Sequence, residues 1–166
     1  FLRVTDLNND GFDDIVFSNL GSSQVSVKFQ DSSNAGSFLT TVVLSAGTSP
    51  AEIAIGDLDN NGLPDLAVVD DVDDGVVLFL QVSPRKFSNS GFLNAGDAPN
   101  SVVAVDLNGD DNLDLATANE NSHSLSRFIG SGTGSFTKIT DDLKAGARPR
   151  SIASADVNGD RRMDLL

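Results

Sequence analysis

Cysteine, tryptophan and tyrosine are absent from the 166 residues, and histidine and methionine occur once each. Without cysteine there is neither a disulfide framework nor thiolate chemistry, and the redox compartment is left open. Without tyrosine and tryptophan, a sugar-stacking lectin surface loses its usual platforms and keeps only phenylalanine. The single histidine, His123, lies in the polar stretch Asn119–Ser124 and reads as a solvated turn residue. There is no Gly-x-Ser-x-Gly elbow. No apolar run reaches the length of a membrane-spanning helix, and no signal peptide is visible. The chain opens at Phe1 in an expected strand, so it reads as an excerpt from a longer protein. Glutamate is nearly missing too: Glu52 and Glu120 stand in different repeats, which gives a paired-carboxylate glycosidase site no support.

Aspartate is the abundant residue. Of the 24 acidic residues only two are glutamate, leaving 22 aspartates and a net charge of -13. Aspartate competes with the helical backbone and prefers caps and turns, so this acidity belongs to loops. It also argues against nucleic acid, whose phosphates it would repel.

Twelve of these aspartates are the first, fifth or ninth residue, or the third residue Asp59, of four copies of one nine-residue stretch, at Asp6–Asp14, Asp57–Asp65, Asp106–Asp114 and Asp156–Asp164. Each copy has Asp at positions one and nine and Asp or Asn at three and five. Oxygen side chains at alternate positions of a tight loop converge on one point, and such convergence is repulsive unless a cation sits there. A hard cation that accepts flexible oxygen coordination, calcium, fits best. The expected ligands in the first loop are Asp6, Asn8, Asp10, the carbonyl of Phe12, and Asp14. In the second they are Asp57, Asp59, Asn61, the carbonyl of Leu63, and Asp65. The third supplies Asp106, Asn108, Asp110, the carbonyl of Asn112, and Asp114. The fourth supplies Asp156, Asn158, Asp160, the carbonyl of Arg162, and Asp164. Four divalent ions would cancel eight charges and leave about -5. Gly11 and Gly62 hold position six in the first two loops, whereas Asp111 and Arg161 replace them in the last two, with Gly109 and Gly159 at position four. Those two loops are expected to be looser, and Arg161 makes the fourth site the weakest.

An EF-hand needs Glu at position twelve, where this chain has Phe17, Val68 and Thr117. The nonapeptide calcium β-helix needs a Gly-Gly-x-Gly-x-Asp run that is absent. Ordinary hairpin turns also use Asp, Asn and Gly, but four copies in register exceed what turn chemistry requires.

The loops recur every 49 to 51 residues, and other marks recur with them. Pro50, Pro99 and Pro149 precede the later three loops, each with Gly three residues earlier, at Gly47, Gly96 and Gly146. Phe38, Phe87 and Phe136 come earlier still. Phe38 and Phe136 follow the small-residue turns Asn34–Ser37 and Gly130–Ser135, and Phe87 follows Pro84-Arg85-Lys86 instead. Short apolar runs lie between the marks, at Thr41–Leu44, Glu52–Ile55, Leu66–Val69, Val76–Leu80, Val102–Val105, Leu115–Ala118 and Leu125–Ile129. No window carries a capped helical stripe. Four strands per 50-residue period is the arithmetic of a β-propeller blade. The expected fold is all-β, four-stranded antiparallel blades, with about 3.3 blades over residues 1–166. Two blades would be complete and the end ones partial. The strand before each loop, marked by Leu2, Ile53, Val102 and Ile152, would be innermost, and Leu7, Leu58, Leu107 and Val157 would pack between blades.

The pattern Gly-x-x-Pro, Asp-x-Asn/Asp-x-Asp/Asn-Gly-x-x-Asp-Leu-Ala, turn, Phe resembles the FG-GAP/VCBS repeat. Gly47–Pro50 and Asp57–Asp65 match it closely, and Asp111, Arg161 and Pro84–Lys86 depart from it. The resemblance covers essentially the whole chain and implies the calcium-bearing blades of integrin α-subunit propellers and of many secreted proteins. It implies an extracellular, secreted or cell-surface setting without naming one activity.

The remaining polar groups are less specific. The run Asp70–Asp74 reads as a solvated loop, with an extra cation site as the alternative. Lys138, Lys144, Arg148, Arg150, Arg161 and Arg162 face either an anionic partner or a neighbouring blade. The chain is thus expected to be a calcium-stabilised adhesion or binding scaffold for protein or glycan. It would bind no nucleic acid, insert in no membrane and carry no catalytic residue of its own. It would need further blades from its parent chain or a partner chain. The alternatives are the scaffold of a secreted polysaccharide lyase or hydrolase, and a structural subunit of a surface assembly.

Overall fold

A computed structural model describes residues 1–19, 21–34 and 36–166. Every element in the described residues is a strand. The first sheet is formed by β1 (Leu2–Thr5), β2 (Asp14–Asn19), β3 (Gln24–Lys28) and β4 (Val42–Ser45). The second is formed by β5 (Pro50–Gly56), β6 (Asp65–Asp70), β7 (Gly75–Ser83) and β8 (Lys86–Asn94). The third takes β9 (Pro99–Val105), β10 (Asp114–Asn119), β11 (Ser124–Gly130) and β12 (Phe136–Lys138), with β13 (Leu143–Lys144) also paired to β11. A fourth begins as β14 (Ser154–Ala155) with β15 (Asp164–Leu165). Each sheet is an antiparallel meander, in chain order from first strand to last. Two sheets are therefore four-stranded and the third has five strands, which makes three sheets of four or more against the two expected, because Val42–Ser45 closes the first sheet rather than opening the second.

Each repeated loop joins the first strand of a sheet to the second, as expected. The second strands β6 and β10 are buried at every residue, so their sequences, Asp65–Asp70 and Asp114–Asn119, show continuous burial rather than alternation. The last strand of the second sheet, β8, is mostly exposed. In that sheet Pro84-Arg85 is a two-residue turn between paired Ser83 and Lys86. Pro pre-sets the first corner and Arg85 takes φ 68, as a type II turn requires. In the first sheet the corresponding turn includes Ala35, which lies outside the described residues.

The core lies between consecutive sheets. One cluster joins Leu7, Val16, Val27 and Phe29 to Ile53, Leu66, Val68 and Phe79. The next joins Leu58, Val69 and Leu78 to Val102, Leu115 and Phe128. The third places Leu107 and Leu125 against Ile152 and Leu165. Leu7, Leu58 and Leu107 thus pack between sheets as expected, whereas Val157 is 61% exposed. The first strands of all four sheets meet at one hollow of about 360 Å³, lined by Arg3, Thr5, Ile53, Ala54, Val103, Ala104 and Ser154 among others. Gly56, at the end of β5, makes room for the third loop: a Cβ there would stand 2.5 Å from Leu113 Cδ1.

Candidate metal centre

Each loop is wound by its own side chains. In the first, Asp6 Oδ1 accepts from Asn8 N at 3.1 Å and Asp10 N at 3.3 Å, and its Oδ2 accepts from Gly11 N at 2.8 Å. Asn8 Oδ1 then accepts from Asp10 N, and Asp10 Oδ1 from Phe12 N. These are chained Asx turns, the local bonding that Asp and Asn favour over regular structure. Asp57, Asp106 and Asp156 make equivalent bonds to position six, from Gly62 N, Asp111 N and Arg161 N at 2.8–2.9 Å. At position seven, Phe12, Leu63, Asn112 and Arg162 each donate their N–H to the side chain at position five, which fixes the peptide just before the carbonyl assigned to the metal.

Positions four and six are left-handed in every loop: Asn9 and Gly11, Asn60 and Gly62, Gly109 and Asp111, Gly159 and Arg161. A loop therefore has two sites of positive φ, and each copy spends its one glycine on either. Asp111 (φ 65) and Arg161 (φ 69) hold the same conformation as the glycines they replace, so the last two loops share the backbone path of the first two.

The ninth aspartate has a different task. Asp65 is fully buried; its Oδ2 accepts from Leu58 N at 2.7 Å and its Oδ1 from Gln81 N at 2.6 Å. Asp14 holds Leu7 N and Gln30 N, and Asp114 holds Leu107 N and Gly130 N, in the same way. This carboxylate ties the loop to the end of the third strand. Asp164 has only Val157 N, at 3.1 Å. In the second loop, carboxylate oxygens of Asp57, Asp59 and Asp65 all lie within 4.8 Å of one another, the one such group among the described residues. Asn61 stands beside them, its Nδ2 donating to Asp59 Oδ2 and to Gln81 O.

The FG-GAP-like repeat model matches residues 6–68, 59–117 and 106–166. The chain belongs to the FG-GAP-like repeat family. FG-GAP repeats thus account for nearly every residue, with the overlaps falling on the shared loops. No curated protein matches the chain. Among solved structures, it is similar to a candidate 6-phosphogluconolactonase from Bacteroides fragilis, at 17% identity and TM-score 0.68, covering 100% of this chain and 41% of that one. Two structures of BBS1N in complex with ARL6DN, soaked with mercury and with lead, are similar at 16% and 17% identity, with TM-scores 0.60 and 0.56. Those matches cover 93% and 94% of this chain and 46% and 47% of the other. The FG-GAP chain therefore spans less than half the length of these structures, and the likeness concerns the fold.

Electrostatics separates the positions of the FG-GAP loop. Burial pushes the Asp65 carboxyl up to about 6, against the Gln81 and Leu58 N–H bonds and with help from Asp59 and Asp57. Asp14 and Asp114 are raised for the same reasons. The first-position carboxyls of Asp6 and Asp106 are lowered: desolvation opposes this, but several loop N–H groups outweigh it. Asp156 is lowered chiefly by Arg161 N–H.

The sequence pattern did not single out Gln81. It is fully buried, and its Nε2 donates to Leu7 O at 2.7 Å and Pro64 O at 2.9 Å, joining the first loop to the second. A signal existed: Gln30, Gln81 and Gly130 all stand 16 residues after a ninth aspartate, opposite the repeated Phe38, Phe87 and Phe136.

At the other end of the sheets one residue of the acidic run departs from its expected reading, while Asp73 and Asp74 are exposed. Asp70 is fully buried rather than solvated, and accepts from the backbone N–H of Thr48, Ser49, Val72 and Asp73. It anchors the Gly-x-x-Pro turn, and a Cβ on Gly47 would overlap its carboxylate. His123 is exposed as expected, though its Nδ1 accepts from Arg148 N at 2.9 Å. Arg148 and Arg150 both bond Glu120 Oε1, which puts them against the third sheet.

Proposed function

We propose that this chain is a calcium-stabilised segment of an extracellular β-propeller that serves as a binding or adhesion scaffold for protein or glycan. One observation carries the reading: the oxygens of Asp57, Asp59 and Asp65 within 4.8 Å of one another. Burial raises the Asp65 carboxyl most, and the nearby Asp59 and Asp57 carboxylates add to it by repulsion. The donors are all hard oxygens, which suits calcium over softer metals. Asp57, Asp59, Asn61, Leu63 through its carbonyl, and Asp65 would hold the ion. The equivalent residues of the other loops would hold up to three more, the fourth most weakly. Bound calcium would supply charge neutralisation and fasten the hairpin between first and second strands. Sites of this extracellular kind bind at roughly 10⁻⁴ to 10⁻³ M.

The radial arrangement is supported by the four first strands around one hollow and by cores between successive sheets. Apolar residues at the two ends, Leu2, Val4, Val157 and Leu166, are more than half exposed. Ile53 and Leu58, the counterparts of Leu2 and Val157 in the second repeat, are buried. Further sheets, from the parent chain or a partner chain, would cover those ends. Glu52 and Glu120 are engaged with Arg3 and with Arg148 and Arg150, so nothing favours the enzyme alternative.

Thermal unfolding tests the metal reading. Calcium at ten times its Kd stabilises by about 1.4 kcal/mol per site, and a chelator removes this. Asp57→Ala is expected to abolish most of the second site's share. Identical melting curves in chelator and in millimolar calcium would sink the proposal.

A further inference from the structure

We infer that the first three loops form one coupled array of cation sites, linked by Asn9, Asn60 and Gln81, while the fourth stands outside it. The inference rests on the calcium reading but concerns residues assigned to no ion. Position four of the first loop, Asn9, donates its Nδ2 across the sheet boundary to Gly62 O at 2.7 Å. Gly62 immediately precedes Leu63, whose carbonyl is an assigned ligand. Position four of the second loop repeats the move: Asn60 Nδ2 donates to Asn112 Oδ1 at 2.8 Å, on the third loop's equivalent ligand residue.

Each junction has a second tie. Gln81 Nε2 bonds Leu7 O while Gln81 N bonds Asp65, so one buried residue touches both the first and second loops. At the next junction Gly134 N donates to Leu58 O at 3.0 Å. The small-residue turn of the third sheet exists for this contact: a Cβ on Gly132 would lie 2.2 Å from Asn112 Oδ1 and 2.5 Å from Asn60 Nδ2. The third junction lacks the link because position four is Gly109, which has no side chain to send across. A cleft of about 140 Å³ beside these loops is lined by Asp106, Gly109, Arg161 and Arg162 among others.

Two sites tied through shared hydrogen bonds influence one another's affinity reciprocally. One lost hydrogen bond corresponds to roughly a fivefold change. The test is NMR titration of backbone amides with calcium in the chain, alongside Asp57→Ala, Asn60→Gly and the double variant. Glycine suits position 60 because it takes the positive φ found there and because Gly109 holds that position in the third loop. Asp57→Ala is expected to weaken the calcium response of the Asp111 amide about fivefold and leave that of Arg161 unchanged. In the double variant the Asp111 response should match that of Asn60→Gly alone.

A fourth-loop response that shifts as much as the third, or transfer that survives Asn60→Gly, would overturn the coupling. Amide hydrogen exchange without metal separates this from failure of the calcium reading. There Asn60→Gly should speed exchange at Asp111 and Asn112 several-fold, and unchanged exchange also overturns the link. Faster exchange with no calcium response in the parent chain sinks the cation array together with the metal reading, and leaves the hydrogen-bonded link standing.

Discussion

The second and fourth loops share a pattern and a backbone path, yet they are supported differently. Both wind around a first-position aspartate, with left-handed residues at positions four and six. In the second, Leu58 is buried between sheets, Asp65 is held from two directions, and Asn60 reaches the next loop. In the fourth, Val157 is exposed and Asp164 bonds only Val157 N. The winding is local and needs only nine residues. The placement of the ninth carboxylate depends on the residue 16 positions later and on the neighbouring sheet. In the first three loops the ninth carboxylate is therefore placed by residues outside the nine, and held from two sides.

The sharpest way to break this comparison is to delete the ninth aspartate in each loop. Asp65→Ala strands two N–H groups, of Leu58 and Gln81, in the core between sheets. Each costs about 1–3 kcal/mol, so a loss of about 2–6 kcal/mol is expected in chelator by urea denaturation. Asp164→Ala removes one bond at the exposed Val157 and should cost less than about 1 kcal/mol. Equal losses would mean that the supporting strand contributes nothing.

The sequence made the repeated elements legible because period and turn chemistry are local. The loops, the strand that follows each of them and the packing role of Leu7, Leu58 and Leu107 could all be read from spacing. The side chains that cross between sheets were not legible. Asn9 and Asn60 look like ordinary turn residues, and Gln81 looks like one polar residue in an apolar strand; only the apposition of sheets gives them partners. Asp70 was misread for the same reason, since its four N–H donors come partly from the Gly-x-x-Pro turn 21 to 22 residues away. The glycine shift between positions four and six looked like a loss, because sequence alone hides that both positions are left-handed.

A smaller effect separates the buried loops by pH. Asp65 titrates at about 6 against 3.8 for the free side chain, so between these values the folded chain holds the extra proton. Its contribution is fully present below about pH 4 and is lost as pH rises through 6. Asp14 and Asp114 shift in the same direction. Asp6, Asp106 and Asp156 are lowered, so their contribution is present above the free value of 3.8 and fades only as pH falls below it. In chelator the chain should therefore be more stable at pH 5 than at pH 7, by about 1–2 kcal/mol. Asp65→Asn should flatten most of that slope. Millimolar calcium should reverse it, because a protonated Asp65 is a poorer ligand.

The smallest expected effect runs the other way and repairs the weaker loop. Arg161 holds φ 69, where an L side chain is strained, at the position Gly11 and Gly62 occupy in the first two loops. Arg161→Gly relieves that strain but gives the unfolded chain more freedom, so the net gain should be only about 0.5 kcal/mol. The change also removes a positive charge from the residue next to Asp160 in the chain, while the Asp156 carboxylate accepts the N–H of residue 161. Loop geometry should survive, since that N–H is kept. Calcium affinity at the fourth loop, followed by the amide of residue 161, should rise a few-fold and still fall short of the second loop. Full recovery to the second loop's affinity would show that the charge at Arg161 sets the difference between them.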